Sequence, residues 1–214
     1  MVLRTQQELD EIKKRFLKHY KGSKTELNYK NDYELLIAIM LSAQCTDKRV
    51  NIITPLLFEK YPDIESLACA DLEEVKEIIK SCSFFNNKAK NLIQTAKIVK
   101  EKHSSKIPHI HEELIKLPGV GNKTANVFLI ELHNENRMAV DTHVYRVAHR
   151  LGITDAKTVE ETEKDLVKAF KTDLNELHQG FVLFGRYICT AKNPKCEKCF
   201  VEDFCVTKEN FKAK

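Results

Sequence analysis

Apolar residues recur at three- and four-residue spacing in one stretch of this chain after another. No stretch shows the two-residue alternation of a half-buried strand. That periodicity restricts the chain to an all-α fold. Residues 5–20 set Leu9, Ile12, Phe16 and Leu17 on one helical face, with Thr5 as N-cap and Glu8 completing a capping box. Residues 32–43, DYELLIAIMLSA, are apolar almost all round, as a central buried helix requires. Thr46 is placed to cap the next helix, which Pro55 is expected to break or kink. Two helices are read over 63–69 and 71–82. Another follows residue 87, capped by Asn86 or Asn87. The helix over 122–133 turns Val127, Leu129, Ile130 and Leu132 inward. One opening at Asp141 ends at Gly152. The last two cover 157–171 and 173–189.

Composition bounds the rest. A chain of 214 residues, 43% hydrophobic and 31% charged, suits one or two small domains with a real core. A net charge of +4 is too mild to establish a nucleic-acid partner by itself. The longest apolar run, residues 35–41, is far too short to cross a bilayer. The opening MVLRTQQELDEIKKRF has no signal-peptide core, so a cytosolic protein is expected.

Seven cysteines, an odd number, do not read as a disulfide framework. Cys45, Cys69 and Cys82 are scattered through helical patterns and read as small buried residues. Cys189, Cys196, Cys199 and Cys205 form C-x6-C-x2-C-x5-C. Thiolates so close repel one another unless a cation holds them, which points to metal. Zinc usually draws on paired knuckles, and only one C-x-x-C is present, while a [4Fe–4S] cube also takes four thiolates. The spacing leaves both open.

The stretch that carries chemistry is residues 117–146, LPGVGNKTANVFLIELHNENRMAVDTHVYR. Pro118 stops one helix, and Gly119, Val120 and Gly121 make a tight turn before a new helix near Asn122. Main-chain N–H groups there, added to a helix N-terminus, offer an anion site suited to phosphate. Lys123 falls in the first turn, where a cation is electrostatically misplaced. That position, together with burial, favours a neutral nucleophilic amine; the plainer reading is a solvated lysine. Asp141 is explained by helix capping alone, though a catalytic carboxylate is compatible with it. By spacing, Gln44 belongs to a simple inter-helix loop. Phe84 and Phe85, adjacent at a turn, are either anchors to the core or a wedge between bases.

LPGVGNKTA followed by VDTHVYR, and the cysteine pattern after G-R-Y-x-C, resemble the endonuclease III family of DNA glycosylases over residues 24–205. The resemblance implies two helical domains. Residues 24–135 would carry a helix-hairpin-helix. Residues 1–23 and 136–214 would hold a [4Fe–4S] cluster, with the active site in the cleft between domains. It implies Lys123 as nucleophile and Asp141 as second catalytic group. Gly119, Val120 and Gly121 would hold the DNA backbone, and Gln44 would fill the gap left by an extruded base. Phe84 takes the wedge position, although glycine and a smaller apolar residue are common in the family at Ser83 and Phe84. Cys189, Cys196, Cys199 and Cys205 would ligate the cluster, with Lys192 and Lys195, beside Lys198, presenting charge to DNA. The implied activity is a bifunctional glycosylase and abasic-site lyase acting on oxidised pyrimidines. The implied partner is double-stranded DNA with damaged bases or abasic sites. The protein would be a monomer in the cytoplasm, associated with the nucleoid and not with a membrane. Two other functions stand beside it: a monofunctional glycosylase of the same superfamily, for mismatched adenine or alkylated bases, and a non-catalytic iron–sulfur DNA-binding protein.

Overall fold

The computed structural model describes residues 2–211. Among them are eleven α-helices and no strand, only an isolated bridge between Val2 and Thr154. The chain divides into two compact units, residues 1–25 with 133–214, and residues 26–132.

The second unit is contiguous. Its helices are α2 (Asp32–Ser42), α3 (Asp47–Lys60), α4 (Ile64–Ala68), α5 (Leu72–Ile79), α6 (Phe85–Lys102), α7 (His111–Leu114) and α8 (Asn122–His133). The α2 helix is buried from Tyr33 to Leu41, as its all-round apolarity requires. Leu35, Leu36, Ile37, Leu57, Leu67, Ile79 and Phe128 are fully buried with it. Thr46 caps α3 by accepting from the Arg49 N–H. The expected break at Pro55 is absent, because α3 runs unbroken through it. A proline removes one intrahelical bond, but Val50, Ile53, Thr54 and Leu57 bury the inner face on both sides of it.

Two further expectations are corrected. Neither Asn86 nor Asn87 caps α6. The helix starts at Phe85, with Phe84 at the cap in the left-handed region (φ +59°) and no side-chain cap bond. In α8 the buried residues are Ala125, Asn126, Phe128, Leu129 and Ile130, while Val127 and Leu132 are only half-buried.

The first unit wraps α1 (Gln6–Tyr20) together with α9 (Thr142–Arg150), α10 (Val159–Phe170) and α11 (Leu174–Tyr187). The Thr5–Glu8 capping box opens α1. Phe16 sits among Phe181 (ring centroids 4.4 Å), Phe184 (5.2 Å) and Phe200 (5.1 Å). Burying each such ring contributes on the order of 2 kcal/mol, so the N-terminal helix is tied firmly to the C-terminal half. The α9 helix ends in a turn with Gly152 at φ +61°. After α11 the chain forms short 3-10 turns at Cys196–Lys198, Glu202–Phe204 and Lys208–Phe211.

Candidate functional site

The hairpin turn is built on α6. Gly119 has φ +80°, and a Cβ there would lie 2.9 Å from Asn91 Nδ2. Glycine is therefore required twice over, by backbone and by space. Thr95 Oγ1 donates to the Pro118 carbonyl at 2.9 Å. His111 Nε2 lies 2.9 Å from Asn122 Oδ1, joining the helices on either side of the turn. Val120 is 4% exposed, so its side chain belongs to the core, and its N–H donates to the Leu117 carbonyl at 3.0 Å. The expectation that all the turn's N–H groups face a ligand is thereby narrowed to Gly119 and Gly121. Gly121 has no positive φ, and a Cβ there would meet nothing within 4 Å. The protein's own packing gives no reason for glycine at this position.

Lys123 lies in the first turn of α8, as its sequence position requires. Of the two readings the sequence allows, a buried amine and a solvated lysine, the structure gives the second as regards exposure: the residue is exposed, like Gly121 and Asn122 before it. The first turn of α8 points its side chains outward, and burial begins at Ala125. Among the described residues the Lys123 ammonium makes no hydrogen bond or ion pair.

Asp141 caps α9. Its Oδ1 accepts from the N–H groups of His143 and Val144, both at 2.8 Å. Both bonds use Oδ1, so capping leaves Oδ2 uncommitted to the helix. One turn on, Arg146 donates to the carbonyls of Cys189 (Nε, 2.9 Å) and Gly185 (Nη2, 2.7 Å). Burial, and then Arg150 beside it, lower the Arg146 pKa, while Cys189 and Asp141 oppose that shift. Arg150 Nη1 lies 3.3 Å from Cys189 Sγ and donates to the Thr190 carbonyl at 2.7 Å. These arginines, whose shared face suits pairing with acids or with phosphate, instead join the Asp141 helix to the first clustered cysteine through its carbonyl and sulfur. Their one-turn spacing was the only signal.

Cys189, Cys196, Cys199 and Cys205 line one pocket, with Arg150 and Lys208 in its wall. Burial pushes the Cys199 thiol up to about 11, and the neighbouring thiols act in the same direction. Cys196 is raised by burial and then by Cys205 and Cys189. Four thiolates gathered at one pocket repel one another and need cationic charge to stand together. Among the described residues no group of three or more His, Cys, Asp or Glu is arranged to hold a metal ion. A mononuclear site draws its ligands to one point, whereas a [4Fe–4S] cube takes one thiolate at each iron. Thiols spread around a cavity fit the cube. Lys192, Lys195 and Lys198 are all exposed on the same loop.

At the other candidate positions, Gln44 is exposed with φ +54°. Phe84 is 63% exposed, while Phe85 packs against the core. Of the adjacent pair, Phe85 is thus the anchor. Sequence reasoning missed Lys88, which is 9% exposed and donates to the carbonyls of Leu41 (2.8 Å) and Ala43 (2.7 Å). The signal was a lysine on the apolar stripe of α6, beside Ala89 and Leu92. It also read all three remaining cysteines as buried. Only Cys82 is, with Cys45 half-buried and Cys69 exposed at the end of α4.

Residues 37–172 match the HhH-GPD superfamily base excision DNA repair protein family, and residues 189–205 match the iron–sulfur binding domain of endonuclease III. Endonuclease III of Rickettsia felis is 46% identical over 191 residues, covering 89% of this chain and 90% of that protein. This chain belongs to the endonuclease III family. Two solved structures of endonuclease III with DNA, each 37% identical, cover 97% of this chain and 98% of theirs. One is a non-covalent complex (TM-score 0.89) and the other a trapped covalent intermediate (TM-score 0.90). Within the endonuclease III frame, Gln44, Phe84, Lys123 and Asp141 all fall inside the HhH-GPD match. The four cavity cysteines fall inside the iron–sulfur match, with Cys189 and Cys205 at its two ends. An iron–sulfur cluster is accordingly the resident cofactor.

Proposed function

We propose that Lys123 and Asp141 carry the chemistry of a bifunctional DNA glycosylase and abasic-site lyase of base excision repair. The observation that carries this reading is Lys123 itself. It is an exposed amine in the first turn of α8, directly after a turn whose Gly121 serves no packing need. A glycine there lets a phosphate approach the main chain beside the amine.

The damaged nucleotide is flipped out of the duplex. Lys123 Nζ, after giving up a proton, attacks the sugar C1′ through its lone pair, the C1′–N bond breaks, and the base leaves with a proton. Asp141, through the oxygen not used in capping, stabilises the positive charge developing on the sugar and assists proton transfer. Ring opening gives a C1′ Schiff base to Lys123. Loss of a C2′ proton then expels the 3′ phosphate by β-elimination, and hydrolysis frees the lysine. The trapped covalent DNA complex of endonuclease III supports the covalent step.

Gln44 occupies the gap left by the base, and Phe84 enters the stack. Gly119, Val120 and Gly121 hold the backbone through main-chain atoms, with Val120 contributing no side chain. Lys192 and Lys195 neutralise phosphates along the cluster loop. The cluster, when bound to its four cysteines, holds that loop in one conformation. Substrates are oxidised pyrimidines and abasic sites in double-stranded DNA, and the working form is a monomer in the cytoplasm, at the nucleoid. No described helix is long and apolar enough to cross a membrane. Residues 24–135, and residues 1–23 with 136–214, are the functional domains.

The deciding experiment is borohydride reduction in the presence of an abasic-site duplex. A covalent adduct mapping to the peptide of Lys123 is expected. Base release with no adduct would replace this reading by a monofunctional glycosylase.

A further inference from the structure

Cys45 and Cys82 belong to neither the hairpin nor the cluster, yet their Sγ atoms lie 3.4 Å apart in the second unit. Against a disulfide bond of ~2.0 Å, the gap to be closed is roughly 1.4 Å, within reach of small side-chain rotations. The two thiols differ in access. Cys45 is half-buried, whereas Cys82 is 2% exposed. Cations face the pair from two helices, Lys88 on α6 and Arg49 on α3, and both favour the thiolate of Cys82. Burial, and then Cys45 itself, outweigh them and push Cys82 up to about 12.

The position of the pair gives it leverage. Cys45 directly follows Gln44, and Cys82 stands two residues before Phe84. Both of those neighbours hold the left-handed backbone region, at φ +54° and +59°. The buried Lys88 ammonium, bonded to the Leu41 and Ala43 carbonyls, already ties the start of α6 to the loop of Gln44. The thiols are a second tie between the same two segments, made only under oxidation.

We infer that Cys45 and Cys82 are a peroxide-sensitive dithiol whose disulfide fixes the loop of Gln44 to the turn of Phe84 and slows the enzyme. Cys45 thiolate attacks the O–O bond of hydrogen peroxide and becomes a sulfenic acid, releasing hydroxide. Cys82 sulfur then displaces the sulfenic oxygen, which leaves as water with the Cys82 proton. Two thiols lose two electrons and two protons, and one peroxide becomes two waters. The consequence for turnover rests on the proposed roles of Gln44 and Phe84, since loops that flank an extruding base must adjust as DNA enters.

The test treats the iron-loaded protein with a graded excess of hydrogen peroxide. Linked peptides are mapped by mass, iron and visible absorbance are followed, and abasic-duplex nicking is assayed before and after dithiothreitol. A Cys45–Cys82 crosslink is expected, with roughly tenfold slower nicking. The loss should be reversed by dithiothreitol, with iron content unchanged. Cys45→Ser and Cys82→Ala should each resist this loss. No linked peptide, or a loss that tracks iron release equally in Cys45→Ser, overturns the inference. So does a crosslink that leaves nicking unchanged. Gln44→Ala and Phe84→Ala, assayed reduced, report separately on whether those two residues serve DNA at all.

Discussion

The ammonium of Lys88 donates to the carbonyl oxygen of Leu41 at 2.8 Å, inside the core of the contiguous unit. A second bond, to Ala43, satisfies the carbonyl of the residue that follows α2. The lysine is thus a long-range C-cap. Lys88→Met keeps the length of the side chain and removes the charge, leaving both carbonyls without this donor. Loss of about 1–3 kcal/mol is expected in urea denaturation. A mutant with unchanged midpoint would show the carbonyls rehydrated at no cost.

Asp141 should separate its two roles by substitution. Asn retains an oxygen that can accept from His143 and Val144, so Asp141→Asn should hold stability within about 0.5 kcal/mol. Asp141→Ala loses the cap and should cost about 1 kcal/mol. Both should abolish turnover. Denaturation curves and single-turnover base release, measured side by side, check the separation.

Lys123→Ala tests chemistry without disturbing structure. The side chain is exposed, so the change in unfolding free energy should stay within about 0.5 kcal/mol. The borohydride adduct should vanish while binding to an abasic duplex persists. An adduct surviving in this variant would move the nucleophile elsewhere.

The two glycines of the turn should respond in opposite ways. Gly119→Ala meets Asn91 at 2.9 Å and a φ of +80°, so it should cost more than about 1 kcal/mol in stability. Gly121→Ala meets nothing in the protein and should melt normally. If phosphate approaches there, its affinity for duplex DNA should fall several-fold. Melting and DNA titration of both variants read the contrast.

Iron removal should act locally. Purified protein should carry roughly four irons per chain. Chelation under reducing conditions should expose residues 189–205 to proteolysis while helical circular dichroism changes little. The loop has only short 3-10 turns of its own, and the helices are held by separate packing. Zinc in place of iron would contradict the cofactor.

Much of this architecture was legible because each helix carries its own signals. Thr5 with Glu8, Thr46 and Asp141 announce helix starts by local hydrogen bonding, and the structure shows all three as caps. The cysteine spacing announced a metal site, since four thiols need a common cation, and the family resemblance made it an iron–sulfur one. What stayed hidden depends on distance through space. Nothing near Lys88 in sequence reports that carbonyls some forty residues earlier need a donor. Cys45 and Cys82 read singly as core residues, and only folding makes them neighbours. Phe84 misled for a different reason. An aromatic residue in the left-handed region gives no cap signal, so the start of α6 was placed too late. The position of Lys123 in sequence fits a buried amine and a solvated lysine equally, and only the folded helix shows that face turned outward.

The aromatic packing of Phe16 has a consequence for biosynthesis. The α1 helix is translated long before its partners Phe181, Phe184 and Phe200. Residues 26–132 contain all the partners of their own core and can condense during elongation. The nascent α1 helix meanwhile carries Leu9, Ile12 and Phe16 without their final cover, which arrives only with α9 to α11. A premature stop codon ahead of α11 would therefore strand the oldest helix, because Phe181 and Phe184 would never be made.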